Sequence, residues 1–288
     1  MRNFLYDFAK LVKLRLSFLV VFSASISFLI GSKEQGFVNW TNWFLLTIGG
    51  FLVTAAANGF NEIIEKDLDK LMKRTADRPI PAGRMTTGQA LVLSIFMSII
   101  GTLILVRLNF LTGVLSVFSI FFYAFIYTPM KRKSPIAVFL GAIPGALPPL
   151  IGYFAAFENP AISWTPIILF LVQFVWQFPH FWSIAWVLDE DYKKAGFRLL
   201  PTTKPDKTSA LIILLTTIVL IPVSLMPTLY HIGGNSIAFI SLAAGLYFLY
   251  TAIQLYRQLD IASARRMMYV SFVYLPLVQV GLLLDFIS

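Results

Sequence analysis

Apolar positions in this chain come in long blocks, not in alternation. Uncharged runs occupy 16–32, 35–61, 85–106, 108–130, 134–157, 159–188, 208–256 and 267–284. A helix needs about 20 apolar residues to cross a bilayer. Seven of the runs hold one span each, and the run 208–256, broken near "YHIGGNS", holds two. The pattern predicts an all-α polytopic membrane protein with nine transmembrane helices and its termini on opposite faces. A transmembrane β-barrel is excluded, because its segments are short and alternating. No linker or low-complexity tract interrupts the blocks, so 1–288 reads as one membrane domain. The opening "RNFLYDFAKLVKLR", followed by an apolar run and "SAS", imitates a signal peptide. The span count and the charge pattern work only if that first helix is retained.

Composition agrees: 58% of residues are hydrophobic and 13% charged, against about 25% charged in soluble domains. There is no cysteine, which excludes disulfides and leaves the redox compartment undetermined. Charge adds an orientation. With nine spans laid out, 21 of the 23 Lys and Arg fall on one face, and Lys33 and Arg107 fall on the other. The positive-inside rule makes the rich face cytoplasmic, with the N-terminus on it, in the cell's inner (plasma) membrane. The net charge of +9 is then topology, and no nucleic acid is needed to explain it.

The acids need a separate cause, since that rule concerns bases. Nine of the fourteen Asp and Glu sit in the loops 61–87 and 188–207, after the second and sixth spans, a placement that hints at an internal repeat. If the second helix continues past the membrane surface, Asn61, Glu65 and Asp69 project from one face, and Asp67 points elsewhere. Stacked carboxylates repel unless something positive lies between them. Mg²⁺ suits such a site, because it takes one or two carboxylates and completes its shell with water and phosphate oxygens. Asn61 adds a neutral oxygen or an amide donor. A solvated loop is the other reading, its acids pairing with Lys66, Lys70 and Lys73 for about 0.3–0.5 kcal/mol each. The second loop shifts the balance: Asp189, Glu190 and Asp191 end the sixth helix, with Lys193, Lys194 and Arg198 behind them. Two acidic clusters flanked by bases on one face suit a diphosphate held through Mg²⁺.

"NEIIEKDLDKLMKRTADRPIPAG" resembles the first aspartate-rich motif, Asn-x-x-x-Asp-x-x-x-Asp, of the UbiA superfamily of membrane prenyltransferases. Asn61 and Asp69 match its outer positions, and Glu65 stands where Asp is usual. "WQFPHFWSIAWVLDEDYKKAGFRLLP", "YTPMKRKSPIAVFLGAIPGALPPLIGY" and "AKLVKLRLSFLVV" resemble, within it, the protoheme IX farnesyltransferase (heme O synthase) family. Two departures stand out: Leu14 replaces a usual Pro, and Val187 occupies the position four before Asp191. The resemblance implies nine helices around a cavity open to the cytoplasmic face. It implies transfer of farnesyl from farnesyl diphosphate to a vinyl group of heme b, with addition of water, giving heme O for terminal oxidases. Membrane lipid and both substrates are then its partners, with heme-biosynthesis or terminal-oxidase machinery as a further association.

On that reading Glu65, Asp69, Asp189 and Asp191 hold Mg²⁺, with Asp69 and Asp191 central to catalysis. Asn61, Arg74, Arg78, Lys131 and Lys194 hold the diphosphate. Tyr127, at the cytoplasmic end of the fourth helix, offers a ring to the farnesyl cation. His180 lies 11 residues before Asp191, about 16 Å along a helix. It is either a heme-binding group, since imidazole is a usual axial ligand, or a side chain that satisfies a carbonyl freed by Pro179. Gly141 and Gly145 either open the fifth helix to a bulky substrate or form a packing seam. A prenyltransferase for a quinone precursor such as 1,4-dihydroxy-2-naphthoate shares both acidic loops without needing "FPHFW". A transporter is disfavoured, because its charges belong near the midplane on broken helices. The orientation has a direct test. Single cysteines at Thr75 and Asn235, treated in intact cells with an impermeant thiol reagent, are expected to label at 235 alone; the reverse inverts the topology.

Overall fold

The structure, a computed structural model, describes residues 2–287. Among them, nine helices are long and apolar enough to cross a membrane. A short helix α1 (Arg2–Leu11) leads through Lys13, in the left-handed region at φ 47°, into α2 (Leu14–Gln35). Helix α3 (Trp40–Asp69) has 30 residues, about 45 Å at 1.5 Å per residue. That exceeds the apolar thickness of a bilayer, about 30 Å, so its last turns carry their acids beyond it. Thr86 and Gln89 close a capping box at the start of α4 (Thr87–Leu108). Asn109 caps α5 (Phe110–Phe121) and donates to the carbonyls of Phe154 and Phe157 at 2.8 and 3.0 Å. The fourth span continues through a π-helical turn, Phe122–Tyr127, into α6 (Thr128–Met130).

The fifth span is broken at Ala146 into α7 (Ala137–Gly145) and α8 (Leu147–Ala155). Helix α9 (Trp164–Val187), a short α10 (Asp189–Lys194), α11 (Lys207–Leu229), α12 (Asn235–Gln258) and α13 (Ile261–Leu284) complete the chain. The acids at 189–191 thus open α10 and do not end the sixth span as expected. Leu188, at φ −102° and ψ 12°, leaves the helix between them. Thr75 is buried and donates to the Asp69 carbonyl at 2.9 Å, so the exposed Ala76 is the better labelling position for this loop.

Two large apolar clusters hold the bundle together. One gathers Phe28, Leu46, Val53, Leu105, Ile120 and Ile151 from the first five spans. The other gathers Ile168, Ile213, Phe248, Met267 and Tyr274 from the last four. A bilayer core offers no water to a broken helix, so its freed carbonyls must find partners within the protein. Gln173 Nε2 donates to the Gly145 carbonyl at 2.7 Å, and Gln177 Nε2 adds a second donor at 3.1 Å to the Ala142 carbonyl, which also accepts the Ala146 N–H. Gln279 Nε2 bridges Ser23 Oγ and Gln173 Oε1 at 2.8 and 2.9 Å, which carries the network to α2 and α13. The glycines of this span are close-approach positions: a Cβ at Gly141 would lie 2.7 Å from the Tyr127 ring, and one at Gly145 would overlap Gln177. At Gly152 a Cβ would lie 2.0 Å from the Ala24 carbonyl oxygen, a backbone atom that cannot yield. Gly152→Ala is therefore expected to cost about 3 kcal/mol, read as a lowered melting temperature in detergent; an unchanged melt would show that α2 and α8 pack less closely.

Candidate active site

The protruding end of α3 presents a stripe of buried polar side chains. Asn58, Asn61, Glu62, Glu65 and Asp69 are each no more than 3% exposed, while Asp67 faces solvent and pairs with Lys70 at 3.4 Å. Buried carboxylates need charge partners, and each lower acid has one. Lys131 Nζ lies 2.7 Å from Glu65 Oε1, and Arg78 Nη1 donates to Asp69 Oδ2 at 2.5 Å. Lys13 Nζ donates to Asn61 Oδ1 at 2.6 Å. The Asn61 amide in turn donates to Glu65 Oε2 at 2.9 Å and to Thr128 Oγ1 at 3.1 Å. Glu62 accepts the Ile80 N–H at 3.1 Å, which pins the loop two residues beyond Arg78 and so aims that arginine.

Charge is balanced tightly here. Desolvation holds the Lys13 ammonium well below the usual lysine range, and the positive charges of Arg78 and Lys131 push it the same way. Burial most strongly opposes the charge on Lys131, but Glu65, Tyr123 and Tyr192 together outweigh it and hold that ammonium above its ordinary range. An added anion would relieve the crowding of three cations.

The second acidic loop meets this face along its edge. The Arg198 N–H donates to the Lys131 carbonyl at 2.7 Å, and the Phe197 ring lies 5.4 Å from the Lys131 ammonium. Arg74 sits over Tyr192 at 6.0 Å. Partial desolvation raises the Asp191 carboxyl, but Lys194 and the N–H groups of Arg74 and Lys73 pull it below the ordinary aspartate range. Within the loop, Asp189 pairs with Lys193 at 2.5 Å and Asp191 with Lys194 at 3.4 Å. Arg74, Lys194 and the acids of α10 therefore border the buried face without entering it.

Among the described residues no three His, Cys, Asp or Glu side chains gather into a metal cage. Mg²⁺ does not require one, because substrate phosphates and waters fill most of its shell. The oxygens present suit it: Asp69 Oδ1 is buried and accepts no hydrogen bond, while Glu65 Oε1 faces the Lys131 ammonium. A groove of about 630 Å³ lies apart from this chemistry, between α1 and α4. Its Arg84 is held by Asp7 and Asp77, both at 2.8 Å.

His180 is buried in α9 against α13. Its ring stacks on Trp176 at 4.3 Å, and Nδ1 lies 2.8 Å from Ser271 Oγ. Ser271 donates its one proton to the Met268 carbonyl at 2.6 Å. With that proton on Met268, Nδ1 is the donor and the lone pair stays on Nε2. The carbonyl partner expected next to Pro179 is replaced by this serine.

Sequence reasoning missed Lys13, Glu62 and Thr128. Glu62 carried a usable signal, standing three before Glu65 and seven before Asp69 on one helical stripe. Lys13 and Thr128 carried none, because their roles depend on a left-handed residue and a π turn.

Residues 20–275 match the UbiA prenyltransferase family. A protoheme IX farnesyltransferase of Cytophaga hutchinsonii is 47% identical over 278 residues, covering 96% of each chain. Another, of Christiangramia forsetii, is 42% identical and covers 98% of this chain and 94% of its own. In fold, the chain is similar to a solved digeranylgeranylglyceryl phosphate synthase, with a TM-score of 0.81 at 19% identity over 99% of both chains. A UbiA homolog from Archaeoglobus fulgidus bound to GPP and Mg²⁺ superposes with a TM-score of 0.69 at 12% identity, covering 96% of this chain and 99% of its own. The nine-helix fold, the acid-lined end of α3 and these likenesses agree: the chain belongs to the UbiA prenyltransferase family.

Proposed function

We propose that this chain transfers the farnesyl group of farnesyl diphosphate to a vinyl group of heme b, with Mg²⁺, at the cytoplasmic face of the plasma membrane. The observation that carries the reading is the buried face of α3, where Glu65 and Asp69 are balanced by Lys131 and Arg78. The names of the relatives supply the acceptor. Glu65 and Asp69, with Asp189 and Asp191 from the bordering loop, would hold the metal. When bound, Mg²⁺ offsets charge growing on the leaving diphosphate. Lys13, Arg78 and Lys131 supply further positive charge from within the face, and Arg74 and Lys194 from its border. Asn61 directs its amide toward the same place.

The C1–O bond breaks and its electron pair leaves with the diphosphate. A heme vinyl carbon then bonds to C1. The cation left beside the macrocycle takes the oxygen of water and releases a proton. His180 is assigned to heme: its ring stacks on Trp176 and meets Phe272 edge-on at 5.2 Å, and with Nδ1 donating to Ser271 its Nε2 carries the lone pair that an axial ligand needs.

The deciding assay is purified protein with farnesyl diphosphate, Mg²⁺ and either heme b or 1,4-dihydroxy-2-naphthoate. Farnesylated product is expected with heme alone; product with the naphthoate alone assigns a quinone precursor instead. Asp69→Asn and Asp191→Asn are each expected to abolish transfer in a folded protein, and near-normal turnover in either would remove that acid from the metal site. His180→Ala should change the visible spectrum of bound heme and weaken its binding, with farnesyl diphosphate affinity held within about twofold. An unchanged spectrum would leave His180 a packing residue. Lys13→Met removes one charge-assisted hydrogen bond, about 1.5–3 kcal/mol. It should raise KM for farnesyl diphosphate at least tenfold; an unaltered KM would exclude Lys13 from the site.

A further inference from the structure

The fourth span carries two tyrosines one turn apart at the acid face, and their surroundings differ. Both lie in the π turn Phe122–Tyr127, with ring centroids 5.4 Å apart. Turns of this kind are rare and occur frequently at functional sites. This one is tied to the acids. Thr128 Oγ1 accepts from the Asn61 amide at 3.1 Å and donates to the Tyr123 carbonyl at 2.9 Å.

Tyr127 already serves a cation. The Lys131 ammonium lies 4.9 Å from its ring centroid, and Gly141 backs the ring so closely that a Cβ would stand 2.7 Å away. Among the described residues no cation lies over the Tyr123 ring, and its hydroxyl makes no hydrogen bond. Depth separates the two rings further. Lys131 reaches back to the level of Tyr127, which marks where a phosphate would sit. Tyr123 is four residues deeper along the span, on the side toward which a prenyl chain must run.

Resting on the reading that this site ionises a prenyl diphosphate, we propose that the ring of Tyr123 faces the allylic cation, while Tyr127 serves the diphosphate end through Lys131. When the C1–O bond breaks, its electron pair departs with the diphosphate and the positive charge is shared between C1 and C3. The electron-rich face of Tyr123 stabilises that charge without forming a bond or moving a proton. The ring is what matters in this role, and the hydroxyl is dispensable.

The test replaces Tyr123 by Phe and then by mono-, di- and trifluorinated Phe, which withdraw ring electron density at nearly constant size. The readout is diphosphate release from farnesyl diphosphate, with farnesol counted against farnesylated product. Tyr123→Phe is expected to lose no more than about threefold in kcat. Successive fluorines should lower log kcat linearly, by about ten- to thirtyfold at three, with KM nearly constant and a rising share of farnesol. The same series at Tyr127 should act more on KM than on kcat. Fluorinated rings equal to Phe, or a Phe variant as slow as Tyr123→Leu, overturns the proposal. A wild-type protein that releases diphosphate but farnesylates no heme defeats the acceptor reading and leaves the fluorine slope to be judged. One that releases no diphosphate defeats both.

Discussion

Everything at the acid-bearing end of this protein follows from the cost of burying carboxylates. An ionised acid out of water is tolerable only when it is paired and hydrogen-bonded. Helix α3 carries Glu62, Glu65 and Asp69 along one stripe inside the bundle. The surrounding elements are placed to answer them: the loop after α3 folds back to bring Arg78 to Asp69 and the Ile80 N–H to Glu62, the end of the fourth span brings Lys131 to Glu65, and the α1–α2 turn brings Lys13 to the Asn61 amide beside them. Truncating one partner of such a pair exposes the other to the full desolvation penalty, so the three segments are held to each other as much as to the membrane.

The same constraint explains why the helices have such different characters. Most spans pack with small and apolar residues, but the two irregular ones, the π turn at Phe122–Tyr127 and the break at Ala146, lie on either side of the contact between Tyr127 and Gly141. Irregular backbone in a bilayer survives where protein groups replace water. Thr128 does this for the π turn, and Gln173 and Gln177 do it for the break. The amide network at mid-depth is thus the apolar region's counterpart of the ion pairs at the surface.

Much of this was legible in the chain. Twenty-residue apolar blocks report spans directly, because the bilayer sets their length. Asn61, Glu65 and Asp69 share a face because a helix repeats every 3.6 residues. What escaped depends on contacts between distant segments. Lys13 was one base among many until a positive φ turned it inward. The π turn shifts the register that would have related Tyr123, Tyr127 and Lys131 by simple spacing. Pro179 drew attention to a freed carbonyl, but Ser271, 91 residues away, took the His180 proton. The acids of the second loop looked like a helix end, and the hinge at Leu188 was silent.

The hydrogen bonds around Asn61 run in one direction. Lysine donates to the amide oxygen, the amide nitrogen donates to Thr128, and threonine spends its only proton on the Tyr123 carbonyl. With both ends of that relay committed, the amide cannot turn over, and its polarity is settled by its neighbours. Aspartate has almost the same shape, but it would set a second anion against Glu65 and leave the threonine oxygen facing lone pairs alone. Position 61 therefore requires a donor, and a side chain of matching size without one is the wrong residue for the place.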